Sequence, residues 1–359
     1  MSSCYKKSIL IVLLFVSNLL ICQQSNIPEI PKAYIAPKTS EAIKIDGYAN
    51  ENSWITAPWT GPFIDIEGIT IPKYETKIKI LWNEDYLYFY AKLEEPHVWA
   101  TLKQRDTVIF YNNDFEIFID PDGDTHDYME FEINALNTIW DLFLTKPYRE
   151  GGKVLDNWDI KGIKTAVQIQ GSLNNSNDDD IGWTIEIAMP WSAIEEATKK
   201  GAPENQFWRI NFSRVNWDFD VVDGKYQRKK DNKGNYLPEY NWVWSPQGVI
   251  NMHEPERWGY VYFSSKAIVT SQSFTIPDDE YIKWQMYAWY RKQKQYKQKH
   301  HSWITSIDQL VPNIISINGK PIKPSLEIHS QGWNLSVTSP STGSLLIIKE
   351  DGDFITNKN

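Results

Sequence analysis

Cysteine is almost missing from this sequence: there are two in 359 residues, Cys4 and Cys22, both in or beside the first apolar run. A chain cleaved after that run carries no disulfide, no thiolate metal site and no cysteine nucleophile. Its stability must then come from apolar burial, with bound ions as the other source. The CxxCH pattern of covalent haem attachment is also absent. No second apolar run reaches membrane length, so the mature chain is expected to have no transmembrane segment. Positive charge is scarce as well. The formal net charge is −9, and losing Lys6 and Lys7 with a leader makes it more negative by two. With no basic patch in the main part of the chain, nucleic acid is not expected as a partner.

Lys6 and Lys7 precede "SILIVLLFVSNLLI", a run with the length and flanks of an export signal. The expectation is a signal peptide over residues 1–22 that leaves Gln23 first. Lipid attachment at Cys22 is disfavoured by Ile21, where a lipoprotein signal carries a small residue. The protein is therefore expected in the periplasm, on the cell surface or secreted. Aromatic residues are abundant: they make up 14% of the chain, with 17 Trp and 19 Tyr. A β-rich core needs fewer, so some rings are expected to face solvent or a ligand.

Apolar and polar residues alternate with period two from about residue 43 to 263, in "TKIKILWNEDYLYFYAKL", "FEIFID", "YMEFEIN", "TIWDLFLT", "IKTAVQIQ", "GWTIEIAM", "FWRINFSRVNW" and "WGYVYF". This predicts an all-β fold, an antiparallel β-sandwich over residues 27–265. One short helix is expected in "WSAIEEATKKG", with Ser192 and Glu195 as a capping box and Gly201 as the stop. Residues 278–359 read as a small α+β appendage. Its helix, "PDDEYIKWQMYAWYRKQKQYKQKHH", has acids in its first turn, bases in its last, and Ile282, Met286, Trp289 and Tyr296 on one face. That face is expected to pack on the short strands that follow. Surface or glycan contact through the basic end is the lesser alternative.

On "FEIFID" the residues Glu116, Phe118 and Asp120 share one face, and on "YMEFEIN" Glu130, Glu132 and Asn134 do. If the loop between them closes a hairpin, Glu116 lies opposite Glu132, and like charges so placed need a partner. Arg209, Asn211 and Ser213 alternate on a later strand, and Glu186 on another, so acids, amides and an arginine could line one face and bond sugar hydroxyls. Trp140, Trp158, Trp217, Trp242 and Trp244 fall at strand ends or in loops; two of the five are expected to meet a ligand. Asp120, Asp122 and Asp124 alternate in "DPDGD", a spacing suited to Ca²⁺, although a Pro-Asp-Gly turn accounts for the same residues and is preferred.

The segments "IDGYANENSW", "LWNEDYLYFYAKLEEPHVWA", "NNDFEIFIDPDGD", "WTIEIAMPW", "WRINFSRVNW" and "HEPERWGYVYF" together resemble the family-nine carbohydrate-binding modules over residues 30–264. The resemblance implies a sandwich that binds glucan- or xylan-type oligo- or polysaccharide, often at chain ends, and frequently holds structural calcium. Glu116 matches the family's hydroxyl-binding glutamate. Phe110 stands where the family has a stacking tryptophan, Glu132 where it has an arginine, and Met252, beside His253, where it has a second stacking tryptophan. The expected sugar-binding set is Phe110, Glu116, Glu132, Asn134, Trp140, Arg209, Trp217, Trp244 and His253. Two other classes compete with this reading. Glu116 and Glu132 could form the carboxylate pair of a glycoside hydrolase, and Met129, Met252 and His253 could ligate haem in an electron-transfer sandwich. His253 is expected first as a structural residue, and His126 as a loop residue near ligand or solvent.

Overall fold

A computed structural model describes residues 30–196, 198 and 201–358. The expected leader, with Cys4 and Cys22, lies outside them. The first half of the chain forms β1 (Ala33–Ala36), the short helix α1 (Asn52–Thr56), β2 (Ile64–Asp65), β3 (Thr76–Trp82), β4 (Tyr86–Glu94), β5 (Asp114–Asp120), β6 (Tyr128–Asn134), β7 (Ile139–Leu144) and β8 (Val154–Leu155). There follow β9 (Lys164–Gln170), β10 (Gly182–Pro190), β11 (Phe207–Asn216), β12 (Phe219–Val222), β13 (Lys225–Arg228), β14 (Tyr240–Val243) and β15 (Gly259–Phe263). The C-terminal part holds α2 (Asp278–His300), α3 (Ile307–Leu310), β16 (Ile315–Ile317), β17 (Lys320–Ile322), β18 (Pro324–His329), β19 (Gly332–Thr338), β20 (Leu345–Lys349) and β21 (Phe354–Asn357).

Two sheets share one core. The larger has nine strands, ordered β1-β15-β11-β5-β6-β7-β8 with β14 and β2 continuing from β11; the smaller is β3-β4-β10-β9. All pairings are antiparallel except β1 with β15. The alternation explains the arrangement. Phe115, Ile117 and Ile119 on β5, Met129, Phe131 and Ile133 on β6, and Trp208, Ile210 and Phe212 on β11 turn inward against Ile78, Ile80, Phe89 and Ile185 of the smaller sheet. Each such side chain contributes about 1.5–3 kcal/mol by leaving water.

The outer face of the larger sheet is covered as well. Phe118, Tyr128, Leu142 and Leu144 meet Met252 and Trp258 there in a second apolar cluster. Every residue of β5 and β6 is therefore buried. The helix expected at residues 191–201 is, among the described residues, a single 3-10 turn, Trp191–Ala193. The Trp191 ring is edge-on to Trp208 and Phe263 in the core, and its indole N–H donates to the Asn83 carbonyl. Anchoring that ring outweighs the local capping signal, and Glu195 accepts instead from the Gly201 amide.

The C-terminal part is the expected α+β unit. Ile282, Met286 and Trp289 of α2 pack with Trp333, Leu335, Leu346 and Ile348 of the sheet β18-β19-β20-β21, and Tyr296 borders that cluster. Three of the bases of α2, Lys283, Arg291 and Lys294, reach the sandwich, while Lys292 bonds to the Gln309 and Leu310 carbonyls within the appendage. Arg291 pairs with Glu254 and Glu256, Lys294 with Glu150, and Arg149 joins Glu254 and Glu256 at 3.0 Å each.

Glu256 gives this junction a pH dependence. Burial opposes its ionisation, but Arg149 and Arg291 outweigh burial and hold it at about 2, against an ordinary value of 4.5. A lowered folded-state value means the stabilisation is complete above about pH 4.5 and is lost as pH falls towards 2. Its size is on the order of 3 kcal/mol. Glu256→Gln is expected to melt below the parent at pH 7 and to converge with it only as pH falls to about 2 and below. A constant gap between the two melting curves across that range would refute the assignment.

Candidate functional site

Successive residues on β5, β6 and β11 point to opposite faces. The face away from the core therefore carries Asp114, Glu116, Phe118 and Asp120, then Glu130, Glu132 and Asn134, then Arg209, Asn211 and Ser213. The hairpin closes as its loop predicts. Glu116 stands opposite Glu132 on one side and opposite Ser213 on the other, and Glu132 is opposite Trp140 of β7.

The segment bearing Glu239, Asn241 and residues 250–253 lies over this face. It leaves a cavity of roughly 200 Å³ lined by Phe110, Glu116, Phe118, Glu130, Glu132 and His253, among others. Phe110 is tied to the cavity by its amide, which donates to Glu132 Oε2 at 3.0 Å. Met252 and His253 form part of the opposite wall. The His253 Nδ1 is 2.8 Å from the Tyr128 hydroxyl, and its Nε2 is 4.0 Å from Glu130.

The electrostatics follow from burial. Removal from water pushes Glu116 up to about 7. Burial, then the charge of Glu116, lifts Asp114 and Glu130 well above the usual carboxylate range. Burial, then Asp114, Glu116 and Glu130, does the same for Glu132. Burial and the nearby Arg149 push His253 down to about 3, so its imidazole is neutral at pH 7. The floor thus offers carboxyl groups that donate when protonated and accept when not, which is the inventory that sugar hydroxyls require.

Several expected site residues are placed elsewhere. Arg209 is buried beneath the junction with α2, where it donates to the carbonyls of Glu256 and Trp258 and to the Tyr260 hydroxyl and stacks on the Tyr260 ring. Asn134 ties down its own turn: its amide N–H donates to Leu102 O, and its side-chain oxygen accepts from Leu136 and Thr138. Trp244 and Trp242 are core residues between the sheets, where no ligand can stack. Trp217 lies behind the turn at residues 109–111; its indole N–H donates to Phe110 O at 2.8 Å, so it braces Phe110. Trp158 bonds to Glu196 beside the core. Of the five tryptophans, Trp140 is the one on the acidic face, half-buried, with an indole N–H that has no partner. Glu186 belongs to the smaller sheet and clamps the amides of Asp46 and Gly47 and the indole of Trp54.

The acidic loop is organised as a turn. Asp120 accepts from the amides of Gly123 and Thr125, and Asp124 from that of His126. The Lys283 ammonium of α2 bonds to Gly123 O inside the same loop. The turn preferred from the sequence is formed, and Asp120, Asp122 and Asp124 come together within it. His126 faces Asp351 of the appendage at 3.5 Å. A haem bracket does not fit the structure. Met129 points into the core between the sheets while Met252 and His253 are on the far side of the larger sheet.

Asp114 and Asn241 were not named from the sequence, and Glu130 was placed on the polar face without entering the expected sugar-binding set. Asp114 was within reach, because it lies two residues before Glu116 and so on the same face. Asn241 reaches the cavity through the pairing of β14 with β11, which no local pattern announces.

No curated protein matches the sequence. Among solved structures, the chain is similar to a presumed carbohydrate-binding protein from Bacteroides uniformis, with 17% identity and a TM-score of 0.49 over 65% of this chain and 99% of that one. It is also similar to a family 9 carbohydrate-binding module from Caldicellulosiruptor kristjanssonii in complex with glucose, with 15% identity and a TM-score of 0.44 over 68% of this chain and all (100%) of that one. The same organism's module in complex with cellotriose gives 15% identity and a TM-score of 0.42 over the same shares, 68% and 100%. Residues 45–262 match the family described as carbohydrate family 9 binding domain-like, which spans most of the sandwich, and the chain belongs to that family.

Proposed function

We propose that the protein is exported and binds a single sugar ring or chain end of the glucan or xylan type in the cavity over Glu116 and Glu132, in the service of polysaccharide breakdown. The observation that carries this reading is the cavity itself: a pocket bordered by the Phe110 ring, with carboxyl groups on its floor and Asn241 and His253 on its walls. Its roughly 200 Å³ lies below the usual range for drug-sized ligands, which favours one ring over a longer chain. Export rests on the basic and apolar residues before Gln23.

The hydrolase alternative is less well served. A hydrolytic pair flanks the scissile bond, whereas Glu116 and Glu132 are cross-strand neighbours that meet a ligand from one side.

Calorimetry against glucose, cellobiose and xylobiose tests the proposal. Binding is expected to be weak, because each hydroxyl contact replaces one to water. Glu116→Gln and Phe110→Ala should each weaken it about tenfold, or about 1.4 kcal/mol, while Glu186→Gln on the other sheet leaves it unchanged. Binding of no neutral sugar, or indifference to both cavity substitutions, would remove the reading.

A further inference from the structure

Phe110 borders the cavity over Glu116, and the next residue, Tyr111, borders a second cavity of roughly 450 Å³. The hairpin β12-β13 and the chain after it bring Tyr226, Arg228, Lys230 and Tyr236 to this second space, and Trp99 lines it as well. Its deeper rings are fixed. Trp99 and Tyr226 are both buried and stack at an interplanar angle of 18°. The Tyr226 hydroxyl lies 3.0 Å from His97 Nδ1 and donates to the Asn175 carbonyl at 2.9 Å. The rings of Tyr111 and Tyr236, by contrast, are exposed.

Two donors in the lining are unused. The Arg228 guanidinium lies over three rings, 4.1 Å from the centre of Tyr236, 4.6 Å from Trp217 and 4.7 Å from Tyr111. Among the described residues its side chain has no carboxylate partner and no hydrogen bond. Aromatic faces hold a guanidinium without consuming the N–H fork at its edge, and that fork matches a carboxylate through two parallel hydrogen bonds. The second donor is Trp99, 3% exposed, whose buried indole N–H has no partner. Leaving such a group unmade is costly unless an occupant accepts from it. Charge narrows the occupant further. Arg228 and Lys230 against Asp220, the acid in this lining, leave one net positive charge. That suits a single carboxylate better than a phosphate monoester, which carries about −1.5 to −2 at pH 7.

We infer that this cavity is a second binding site, for a carboxylate-bearing sugar residue of the uronic-acid class. The carboxylate bonds to the Arg228 fork, the ring lies against the exposed aromatic walls, and a ring oxygen or hydroxyl accepts from Trp99. The two cavities are joined structurally. Trp217 supports Arg228 with its ring and donates its indole N–H to the Phe110 carbonyl, and the Phe110 and Tyr111 ring centres are 5.0 Å apart. A polysaccharide with neutral and acidic units would meet both cavities at once. That last point rests on the sugar reading above; uronate binding does not.

The test is calorimetry on the full chain with methyl glucuronoside, methyl glucoside and a sulfated methyl glucoside. The glucuronoside is expected to bind about tenfold more tightly than the glucoside, and the preference should shrink at high salt. Arg228→Met should erase it, and Arg228→Lys should restore only part, because an ammonium keeps the charge without the fork. Trp99→Phe, which keeps a ring and removes the N–H, should weaken the glucuronoside about fivefold. With Glu116→Gln, in the first cavity, glucuronoside binding should persist. Equal binding of the two glycosides by the parent overturns the site. So does tighter binding of the sulfated glucoside, or a preference that survives Arg228→Met. The two readings fail separately. Glucoside binding that Glu116→Gln weakens, with no glucuronoside preference, sinks this inference alone; glucuronoside binding through Arg228, with no binding of neutral sugar, sinks the function proposed above.

Discussion

Arg209→Ala is expected to lower the unfolding free energy by about 3–5 kcal/mol while leaving sugar affinity nearly unchanged. The guanidinium is 1% exposed and serves two backbone carbonyls, at Glu256 and Trp258, and the Tyr260 hydroxyl; it lies 3.4 Å from Glu280 of α2. Its loss strands buried acceptors beneath the segment that also carries Glu254 and Glu256, so the docking of α2 should loosen with it. Arg209→Lys should restore only part of the loss, because an ammonium lacks the planar fork that spans these acceptors. Chemical denaturation provides the stability and calorimetry the affinity. Unchanged stability with lost sugar binding would return Arg209 to the binding site.

Glu95→Ala should cost a comparable amount, about 3–5 kcal/mol, from a single atom. Glu95 Oε2 accepts from Arg214 at 2.7 Å, Asn216 at 2.9 Å and Asn113 at 3.1 Å, and both charged residues are buried. Without the carboxylate, Arg214 is left as an uncompensated charge beneath Trp242, 5.0 Å from that ring's centre. The pair itself contributes less than its breakage costs, since both ions gave up hydration to form it. Glu95→Leu combined with Arg214→Met is therefore expected to be more stable than Glu95→Ala alone. A double variant as unstable as the sum of its single variants would show that the two residues act independently.

The core was legible because it follows from a local rule. Ile117, Phe131 and Ile210 alternate with polar neighbours, and alternation alone assigns each to the inner face. The opposition of Glu116 and Glu132 followed from the same rule plus a short loop. The outer partners did not. Arg209 alternates with the inward residues as well as Ser213 does, yet Arg209 ends beneath α2 and Ser213 beside the acids. The difference lies in what crosses above them, from segments 47 and 71 residues away in sequence. The helix at residues 191–201 fails for a related reason: capping residues act over one turn, and a buried Trp191 outweighs them.

By itself the sequence determined which side chains turn toward the core, that two acids face each other across a hairpin, and that α2 has one apolar face. These depend on period, and period is local. Only the tertiary structure decided that the acids are buried beneath a covering segment, that Arg105 meets Asp106, Asp141 and Asp159, and that Arg209 ends beneath α2. The reason is that burial and charge compensation are set by chain segments distant in sequence, and their arrival alters the energy of a carboxylate far more than its neighbours along the strand do.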